Sequence, residues 1–597
     1  MDKSMNQDQQ LSTKVKIIGT LFLVSQLFLA ANNYGPHNIP GLSLLFDEPW
    51  IPAEEVSLQQ AMHGKAPNFT FEDITESSGL SSFYRAKVNG ANPSYLEVMS
   101  GGLAIGDIDG NSLDDILLIS IPSFEEHPEK EASPTSLFRN NGDGTFQNIT
   151  KQSGLGNIKG YPQGALFFDF NNNGRQDLYI AAYDGGQLFR NDGGTFTDIT
   201  EESGLSLDGL CGDFPCFGSS VSAADYNRSG YLDLYIVNNV DWDIKDFSQY
   251  GERRLFPAFF KAQKSFLFKN NGDGTFTDVT EKSGATNVGG KGLSAVWFDF
   301  NGDNWPDLYI ANDLTRNKLY LNRGDGTFTD IAASARVNEV KSSMGVAAAD
   351  FGNSGNPGLI ISNLEGSYLS LFRNMGDLRF DYATHYSGLN PSRRSSGWGL
   401  EFADLDLDGN LDLVMAAGPV WDTEPKDAEN LFFKNNGSGN FEDQTLMAGE
   451  FRNSDVSRGL AVIDIQNNGR PDLVINNIDG GTPQVLMNTT NNGNNWLKLT
   501  LEGTESNRDA IGAKVTIRRK DGRAIYREVK AGGSYQSSGT KSLFIGLENS
   551  AVEQLTIDWP SGHSQVLTDI PINTSLEVAE HRKSVSGLNT QRNIVNP

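Results

Sequence analysis

The stretch "DLDLDGNLDL", residues 404–413, decides how the rest of the chain is interpreted. It places four aspartates within nine positions, with a glycine at the sixth position. Carboxylates this close to one another repel, so the stretch predicts a positive charge bound among them. It forms either one isolated metal site or one copy of a larger repeat.

The stretch is one copy of a nine-residue pattern, which favours the repeat. The seven copies, numbered here as acidic loops 1 to 7, are residues 107–115, 169–177, 225–233, 299–307, 350–358, 404–412 and 464–472. Each runs into an apolar, β-rich segment such as "LYIAA" at 178–182. A small residue stands five positions before each first aspartate, which indicates tight packing of strands near a crowded centre. These residues are Gly102, Gly164, Ser220, Ser294, Gly345, Gly399 and Gly459.

A second element alternates with the acidic loops. The segment "FLFKNNGDGTFTDVT" at 266–280 reads as strand, tight turn and strand, because Asn, Asp and Gly supply the positive φ angles of a hairpin. One strand before each acidic loop, one after it and this hairpin make four short strands, the blade of a β-propeller.

The number of hairpins predicts how the ring closes. The last strand is missing after loop 7, and "FTFEDITESSGL" at 69–80 supplies an equivalent strand before loop 1. An N-terminal strand that completes the last blade closes the ring and removes its sheet edges. The sequence thus predicts an all-β fold, a seven-bladed β-propeller over residues 69–489, with an open array of repeats as the alternative.

The acidic loops resemble calcium-binding loops. Oxygen-bearing side chains at positions 1, 3, 5 and 9, with a turn residue at position 6, suit calcium, and hard oxygen ligands favour it over zinc or copper. The number of carboxylates ranks the loops. The strongest predicted site is Asp404, Asp406, Asp408 and Asp412. Next come Asp107, Asp109, Asn111, Asp115 and Asp299, Asn301, Asp303, Asp307. Weaker are Asp169, Asn171, Asn173, Asp177; Asp225, Asn227, Ser229, Asp233; and Asp464, Gln466, Asn468, Asp472.

An alternative without metal stays open. Loop 5 has Gly352 and Gly358 at positions 3 and 9, so it is predicted to have lost its metal. In the other loops, Asn and Asp side chains that satisfy the backbone of the turn explain the two-carboxylate copies as well as calcium does. They do not explain loop 6. The role predicted for calcium is structural.

These motifs resemble the FG-GAP/VCBS repeats of integrin α-chains and bacterial surface proteins. The segments "NNWLKLTLEGTESNRDAIGAKVTI" at 494–517 and "LTIDWPSG" at 555–562 resemble the ASPIC/UnbV domain. Together they match the architecture of the cartilage acidic protein family. The resemblance implies a calcium-binding propeller outside the cytoplasm or at its boundary. For bacterial members, it leaves open adhesion, matrix binding and accessory roles in biosynthesis.

The C-terminal region, residues 494–580, alternates polar and apolar residues and is predicted to form a small antiparallel β-domain. Arg508 and Asp509 are interpreted as a salt bridge that holds a loop, with a ligand-binding pair as the alternative. Trp559 is interpreted as a core residue. Residues 32–68 and 581–597 are assigned as an N-terminal extension and a tail.

The remaining bulk features point to export. The apolar run 17–31 is shorter than the ~20 residues of a membrane span and suits a secretory signal, with an uncleaved anchor as the alternative for residues 1–31. Cys211 and Cys216 suit a small disulfide-closed loop in an exported protein. The net charge of −27 argues against nucleic acid, because no basic surplus is present to neutralise phosphates. Membrane contact is expected only through the possible anchor.

Two function hypotheses follow. The six histidines are scattered, and no nucleophile elbow, Walker or dinucleotide motif occurs in the sequence. The long insertions 240–264, with Trp242, Arg253 and Arg254, and 418–430, with Trp421, either bind a ligand by stacking or form a satellite core. The favoured hypothesis is a binding, adhesion or accessory module that engages a glycan, protein or small-molecule ligand at its loop face. The alternative is an enzyme, a lyase, hydrolase or cyclase, with its site in the axial pocket.

Overall fold

The computed structural model describes residues 70–83, 94–121, 135–243, 257–420, 429–453 and 455–581, and the backbone of 586–587. The predicted signal or anchor, the N-terminal extension and nearly all of the tail lie outside these ranges, as do Arg253, Arg254 and Trp421. Within them, no helix is long and apolar enough to cross a membrane.

The described part of the repeat region folds into seven antiparallel sheets between residues 71 and 488, six with four strands and one with a fifth strand added. Each acidic loop joins the first two strands of one sheet, as the motif order predicts. Sheets 1 to 3 contain β2 Leu103–Gly106, β3 Asp115–Leu118, β4 Ser136–Asn140, β5 Phe146–Asn148; β6 Tyr161–Phe168, β7 Asp177–Tyr183, β8 Gln187–Asn191, β9 Phe196–Asp198; and β10 Gly218–Ala224, β11 Asp233–Asn238, β12 Phe266–Asn270, β13 Phe276–Asp278. Sheets 4 and 5 contain β14 Gly292–Phe298, β15 Asp307–Arg316, β16 Lys318–Asn322, β17 Phe328–Asp330, with β18 Val340–Ser342 paired to β15; and β19 Val346–Ala349, β20 Gly358–Ile361, β21 Ser370–Asn374, β22 Phe380–Tyr382. Sheets 6 and 7 contain β23 Gly397–Ala403, β24 Asp412–Ala417, β25 Leu431–Asn435, β26 Phe441–Asp443; and β27 Val456–Ile463, β28 Asp472–Ile478, β29 Gln484–Asn488, β1 Phe71–Asp73.

The sheets form a closed, propeller-like ring. The first strand of each sheet contacts the first strand of the next, and β27 contacts β2. The predicted closing strand is present: β1 pairs antiparallel with β29, with Phe71 opposite Asn488. The ring therefore joins the N-terminal and C-terminal ends of the repeat region in one sheet.

A circle of asparagines holds neighbouring sheets together. The last residue of every third strand donates its side-chain N–H to the backbone carbonyl at position 2 of the acidic loop in the preceding sheet. Asn270, for example, reaches Phe170 O of loop 2 at 2.8 Å. The seven asparagines are Asn140, Asn191, Asn270, Asn322, Asn374, Asn435 and Asn488. The circle closes where Asn140 of sheet 1 bonds Ile465 O of loop 7 at 2.9 Å.

Short helices occupy the connections between sheets. In several units a threonine after the last strand bonds back into the third strand, as where Thr280 Oγ1 accepts from Leu267 N at 2.9 Å, and this fixes the start of the helix. The α-helices are Thr75–Ser78, Tyr95–Met99, Thr200–Ser203, Thr280–Ser283 and Ala332–Ala335. The 3₁₀ helices are Leu80–Ser82, Pro257–Phe259, Thr384–Tyr386, Asn390–Arg394 and Thr445–Met447.

The C-terminal region forms two more four-stranded sheets. One contains β30 Asn495–Glu502, β33 Leu543–Glu548, β36 Thr574–Ala579 and β37 Ser586–Gly587; the other contains β31 Lys514–Arg519, β32 Ala524–Glu528, β34 Val552–Asp558 and β35 Ser564–Leu567. The prediction of a purely antiparallel domain is corrected in one place, because β30 and β36 are parallel. Trp559 is buried and donates Nε1–H to Gln565 Oε1 at 2.9 Å, so it is a core residue as predicted.

Candidate functional site

The first aspartate of every acidic loop caps its own turn. The backbone N–H groups at positions 5 and 6 donate to its two carboxylate oxygens; in loop 6, Asp404 accepts from Asp408 N and Gly409 N, both at 2.9 Å. The equivalent acceptors are Asp107, Asp169, Asp225, Asp299, Asp350 and Asp464. The degenerate loop 5 has the same bonds, so this capping does not require a side-chain oxygen at positions 3 and 9. The role of turn-backbone satisfaction that the sequence left open is thus present in all seven loops.

The aspartate at position 9 is also tied to the backbone. Asp115 accepts from Asn140 N at 2.7 Å and from Ile108 N at 3.1 Å, and so connects its loop to the third strand. Burial raises the pKa of Asp115 to about 8, and burial likewise raises the pKa of Asp177 to about 8. Except in loop 5, which has Gly358 at this position, each loop holds such a carboxylate at its base, and a cation bound next to it would favour the ionised form.

Three carboxylates converge in loop 1. Asp107, Asp109 and Asp115 each offer an oxygen, and these oxygens lie within 4.8 Å of one another. Among the residues that the structure describes, no lysine or arginine forms an ion pair with any of the three. Hard oxygen ligands at this spacing fit calcium.

Three carboxylates also converge in loop 6, where a lysine ammonium of the chain forms ion pairs with the acidic side chains. Asp404, Asp406 and Asp408 form the second such group in the described residues. The ammonium of Lys434, on β25, lies 2.8 Å from Asp406 and Asp408 and 3.0 Å from Asp412. Burial lowers the pKa of this ammonium, but the carboxylates of Asp412, Asp406 and Asp408 outweigh burial and raise it.

Loops 4 and 7 receive lysines from the C-terminal domain. Lys514 pairs with Asp299 of loop 4 and donates to Asn304 Oδ1 at 2.8 Å. Lys498 pairs with Asp464 of loop 7 at 2.9 Å and donates to Asn467 Oδ1 at 2.9 Å. In both loops the cation contacts the first aspartate.

The other predicted ligands are distributed as follows. In loop 4, Asp303 accepts from Asn301 Nδ2 and Trp305 N, both at 2.8 Å, within its own turn. In loop 2, Asn171 Nδ2 donates to Asp177 at 3.3 Å. Loops 2, 3 and 7 have amides or a hydroxyl at positions 3 and 5, namely Asn171, Asn173, Asn227, Ser229, Gln466 and Asn468, so each brings two carboxylates to its centre.

The C-terminal domain covers the acidic-loop face of the ring. Gly546 N donates to Asp404 at 2.7 Å, and Asp509 accepts from Asp169 N at 2.8 Å. Asp509 also pairs with Lys541 at 3.3 Å, while Arg508 pairs with Glu502. In the described residues no ion pair joins Arg508 to Asp509, which corrects the predicted salt bridge. Asp509 holds this loop against loop 2 through Asp169 N, and the backbone N–H of Arg508 does so by donating to Asn172 Oδ1 at 2.9 Å.

A segment of the C-terminal domain, residues 531–540, fills the axis of the ring. Its backbone bridges β10, β19 and β2 through the pairs Ala531–Ala223, Ser534–Val346 and Ser538–Ala104. The Ser534 hydroxyl accepts from Leu400 N at 3.2 Å and donates to Leu460 O at 2.9 Å, which adds β23 and β27.

Of the small residues predicted near the centre, Gly102, Gly164 and Gly459 lie against this segment, whereas Gly345 and Gly399 lie against neighbouring strands. A Cβ atom on Gly102 would lie 2.2 Å from Gln536 O, and one on Gly164 would lie 3.0 Å from the same oxygen. The axial pocket of the enzyme hypothesis is therefore occupied by the chain itself. The physical reason is that glycines next to the axis, such as Gly102 and Gly164, leave room for the backbone of this segment, which turns at Tyr535 and Gln536.

An aromatic core closes the other end of the axis. Tyr535 donates its hydroxyl to Met99 O at 2.7 Å and packs on Trp398, with ring centroids 4.9 Å apart. Trp242 belongs to the same cluster and is fully buried. Of the two interpretations of the long insertions, the satellite core is therefore correct for Trp242.

An interdomain cavity of about 250 Å³ lies beside the axis, between sheets 4 to 6 and the C-terminal domain. Its lining includes the ion pair of Lys530 with Glu401, at 2.9 Å, and the side chain of Tyr526. Glu528 also lines it, and burial raises the pKa of this carboxyl well above its ordinary value.

The face opposite the acidic loops carries the disulfide. Cys211 and Cys216 are bonded to each other, and Asn238 Nδ2 donates to Cys211 Sγ at 3.6 Å. The bond closes a loop between sheets 2 and 3, so the cysteine pairing expected from the sequence is present.

Comparison with known proteins agrees with this geometry. The FG-GAP-like repeat model matches residues 107–180, 169–236, 259–310 and 299–361, and the ASPIC and UnbV model matches residues 503–585. Cartilage acidic protein 1 of Xenopus tropicalis is 26% identical over 448 residues, which are 70% of this chain and 64% of the relative. The human protein of that name is 25% identical over 438 residues, 70% of this chain and 62% of the relative. The matched region thus spans less than two thirds of these relatives.

The solved structure of a Bacillus licheniformis rhamnogalacturonan lyase is similar at a TM-score of 0.36 and 13% identity, covering 66% of this chain and 72% of that one. At this score the similarity has no bearing on function.

The chain is therefore a propeller-like array of FG-GAP-like repeats followed by an ASPIC and UnbV domain. It is homologous to cartilage acidic protein 1.

Proposed function

We propose that the protein is an exported, calcium-binding propeller that acts as a binding, adhesion or accessory module through the face opposite the acidic loops. The observation that carries the proposal is the segment 531–540. It occupies the axis, and the domain to which it belongs covers the acidic-loop face. A ligand approaching the ring from outside then meets the opposite face.

The described connections on that face support a docking role. Antiparallel strands place the connections 205–217, 279–291 and the described parts 239–243 and 257–265 at the end of the sheets away from the acidic loops. They are tied together, since Lys291 Nζ donates to Pro257 O at 2.6 Å and Gln263 Nε2 donates to Pro215 O at 2.9 Å. They expose large apolar side chains: Leu210 (37%), Phe259 (46%) and Val288 (69%). Apolar groups on a fixed polar surface are typical of sites that bind proteins or sugars.

The calcium part of the proposal rests on loop 1. Asp107, Asp109, Asn111 and Asp115 would hold the ion, which would neutralise the convergent carboxylates and pin the turn between β2 and β3. Export is supported by the disulfide, because such bonds persist in oxidising compartments.

The binding function is tested by comparing surface variants on immobilised glycans and on surface proteins extracted from the source organism. Leu210→Ser/Val288→Ser is the test variant. Val566→Ser is the matched control, because Val566 is 54% exposed on the C-terminal domain. We expect the test variant to lose retention and the control to keep it. Turnover of a polysaccharide by the purified chain, with retention unchanged in the test variant, would instead support the enzyme.

A second candidate is binding of a small molecule in the interdomain cavity, which its volume of about 250 Å³ and its polar lining favour. Mass spectrometry of material released on denaturing the purified protein tests it. Release of one compound in a fixed ratio to the chain would support this candidate, and an empty extract would count against it.

A further inference from the structure

One position on the third strand of each sheet lies beside the end of the acidic loop of that sheet. This position directly precedes the asparagine of the interblade circle. Its occupants in sheets 1 to 7 are Arg139, Arg190, Lys269, Leu321, Arg373, Lys434 and Met487. Among the described residues, Lys434 is the one occupant whose charged group lies within ion-pair distance of its own acidic loop.

The ammonium of Lys434 lies among the carboxylates that a metal in loop 6 would bind. Its Nζ lies 2.8–3.0 Å from oxygens of Asp406, Asp408 and Asp412. Calcium lies about 2.3–2.6 Å from its carboxylate ligands, so an ion bound in loop 6 would be surrounded by these same oxygens. The ammonium and the metal therefore exclude one another. The ion pairs are buried: the side chain of Lys434 is 16% exposed and that of Asp412 is 0% exposed.

Sheets 4 and 7 show the complementary arrangement. Their equivalent position is apolar, as Leu321 and Met487, and their loops receive Lys514 and Lys498 from the C-terminal domain. In three of the seven loops, then, an ammonium of the chain itself contacts the acidic side chains. In loop 1, where three carboxylates converge, no such group is paired with them among the described residues.

We propose that Lys434 is a built-in replacement for calcium in loop 6. The most acidic loop of the chain then holds no metal, and removing its ammonium creates a calcium site. The inference rests on the proposed function only for the identity of the ion. Without the ammonium, Asp406, Asp408 and Asp412 lose their cation, and only Asp404 keeps an ion pair, with Arg527 at 3.8 Å. Three largely buried carboxylates without a counter-ion favour binding of an external cation.

The test variant is Lys434→Met, which places in sheet 6 the residue that sheet 7 has at the same position. Calcium bound to the exported full-length chain is measured by equilibrium dialysis and elemental analysis at about 1 mM free calcium, within the affinity range of extracellular calcium modules. We expect one more calcium ion per chain than in the wild type, and a melting temperature that rises more with calcium than the wild type's does.

Two variants control for charge and position. Arg190→Met changes the equivalent position in sheet 2, where the guanidinium pairs with Asp192 at 2.9 Å and not with the acidic loop, so the calcium count stays unchanged. Lys434→Arg keeps the charge and also gains no calcium. A Lys434→Met variant that folds and binds no more calcium than the wild type overturns the proposal.

If Lys434→Met does not fold, a measurement on the wild type tests whether Lys434 excludes calcium from loop 6. Acetylation of lysines, mapped by mass spectrometry with calcium and with chelator, reports whether the Lys434 amine leaves the loop. We expect it to stay protected in both conditions, and exposure on adding calcium overturns the proposal. If the wild type binds no calcium and the Lys434→Met chain binds one ion, the calcium part of the proposed function is refuted. The inference about Lys434 is then still supported.

Discussion

Replacing one asparagine of the interblade circle tests what holds neighbouring sheets together. Asn270 donates its side-chain amide to Phe170 O of sheet 2 at 2.8 Å and to Leu232 O of its own sheet at 3.0 Å. Its Oδ1 accepts from Gly272 N at 2.9 Å. The side chain is buried, so water cannot take over these bonds in Asn270→Ala.

The expected cost follows from the number of groups left without a partner. Each hydrogen bond lost contributes about 1 kcal/mol, and each buried carbonyl left unsatisfied adds a further penalty of similar size. With two carbonyls affected, the free energy of unfolding should fall by about 2–4 kcal/mol. Urea unfolding of wild type and variant, compared at equal slope, measures this difference.

The neighbouring residue is the control. Asn271 is exposed and bonds Thr275 and Thr277 on the surface of the same hairpin. Asn271→Ala should therefore cost less than about 1 kcal/mol, because its partners remain accessible to water. Equal losses in the two variants would refute the view that Asn270 joins the sheets rather than merely shaping its turn.

Two further predictions concern the axis and the C-terminal domain. Gly102→Ala places a methyl 2.2 Å from Gln536 O, so it should cost about 1–3 kcal/mol and make the segment 531–540 more sensitive to protease; Gly156→Ala, whose new methyl would have its nearest neighbour 4.0 Å away, should do neither. Although burial raises its pKa, the pKa of Glu580 is lowered to about 2 by hydrogen bonds from the Ser561 hydroxyl and from backbone N–H groups at 504–506. This depressed value contributes stability that is present above pH 4.5 and is lost as the pH falls towards 2, so Glu580→Gln should flatten that acid limb in a series of urea midpoints. Glu577→Gln, at an exposed position on β36 three residues earlier, should leave the limb unchanged.

The four-stranded unit was predictable from sequence because its signals are local. Alternation within a strand and Asn, Asp and Gly in a turn are set by neighbouring residues, and the repeat multiplies each signal. The closing strand 71–73 was predictable for the same reason, since it repeats the last strand of the other units.

The circle of asparagines was not predicted from the sequence, because each asparagine of a repeat hairpin also has a local role in its own turn. Asn270 starts a hairpin turn, which accounts for it locally, and its bond to sheet 2 joins residues 100 positions apart. The signal that was present is its recurrence at the end of every third strand, including Asn488, which precedes no repeat hairpin.

The contact of Lys434 with loop 6 could have been predicted from the sequence. Once β24 and β25 pair with Leu413 opposite Phe433, residues 412 and 434 lie next to each other at the strand ends. A lysine beside the ninth position of an acidic loop then has the carboxylates within its length. Counting carboxylates alone ranked the loop by its negative charge and left out the cation that the neighbouring strand supplies.

The axial segment had no local signal, and it changes how the two sequence families relate to each other. The stretch "AGGSYQSSGT", residues 531–540, has neither alternation nor an apolar face, so it reads as a loop of the C-terminal domain. In the structure its bonds reach five of the first strands of the ring, and Lys498 and Lys514 of the same domain pair with loops 7 and 4. Apolar residues of the domain also share one core with sheets 2 and 3. A ring without this domain would have glycines around an empty axis, and loops 4 and 7 would lose their lysines, so the repeats and the C-terminal domain complete each other's packing and charge pairs.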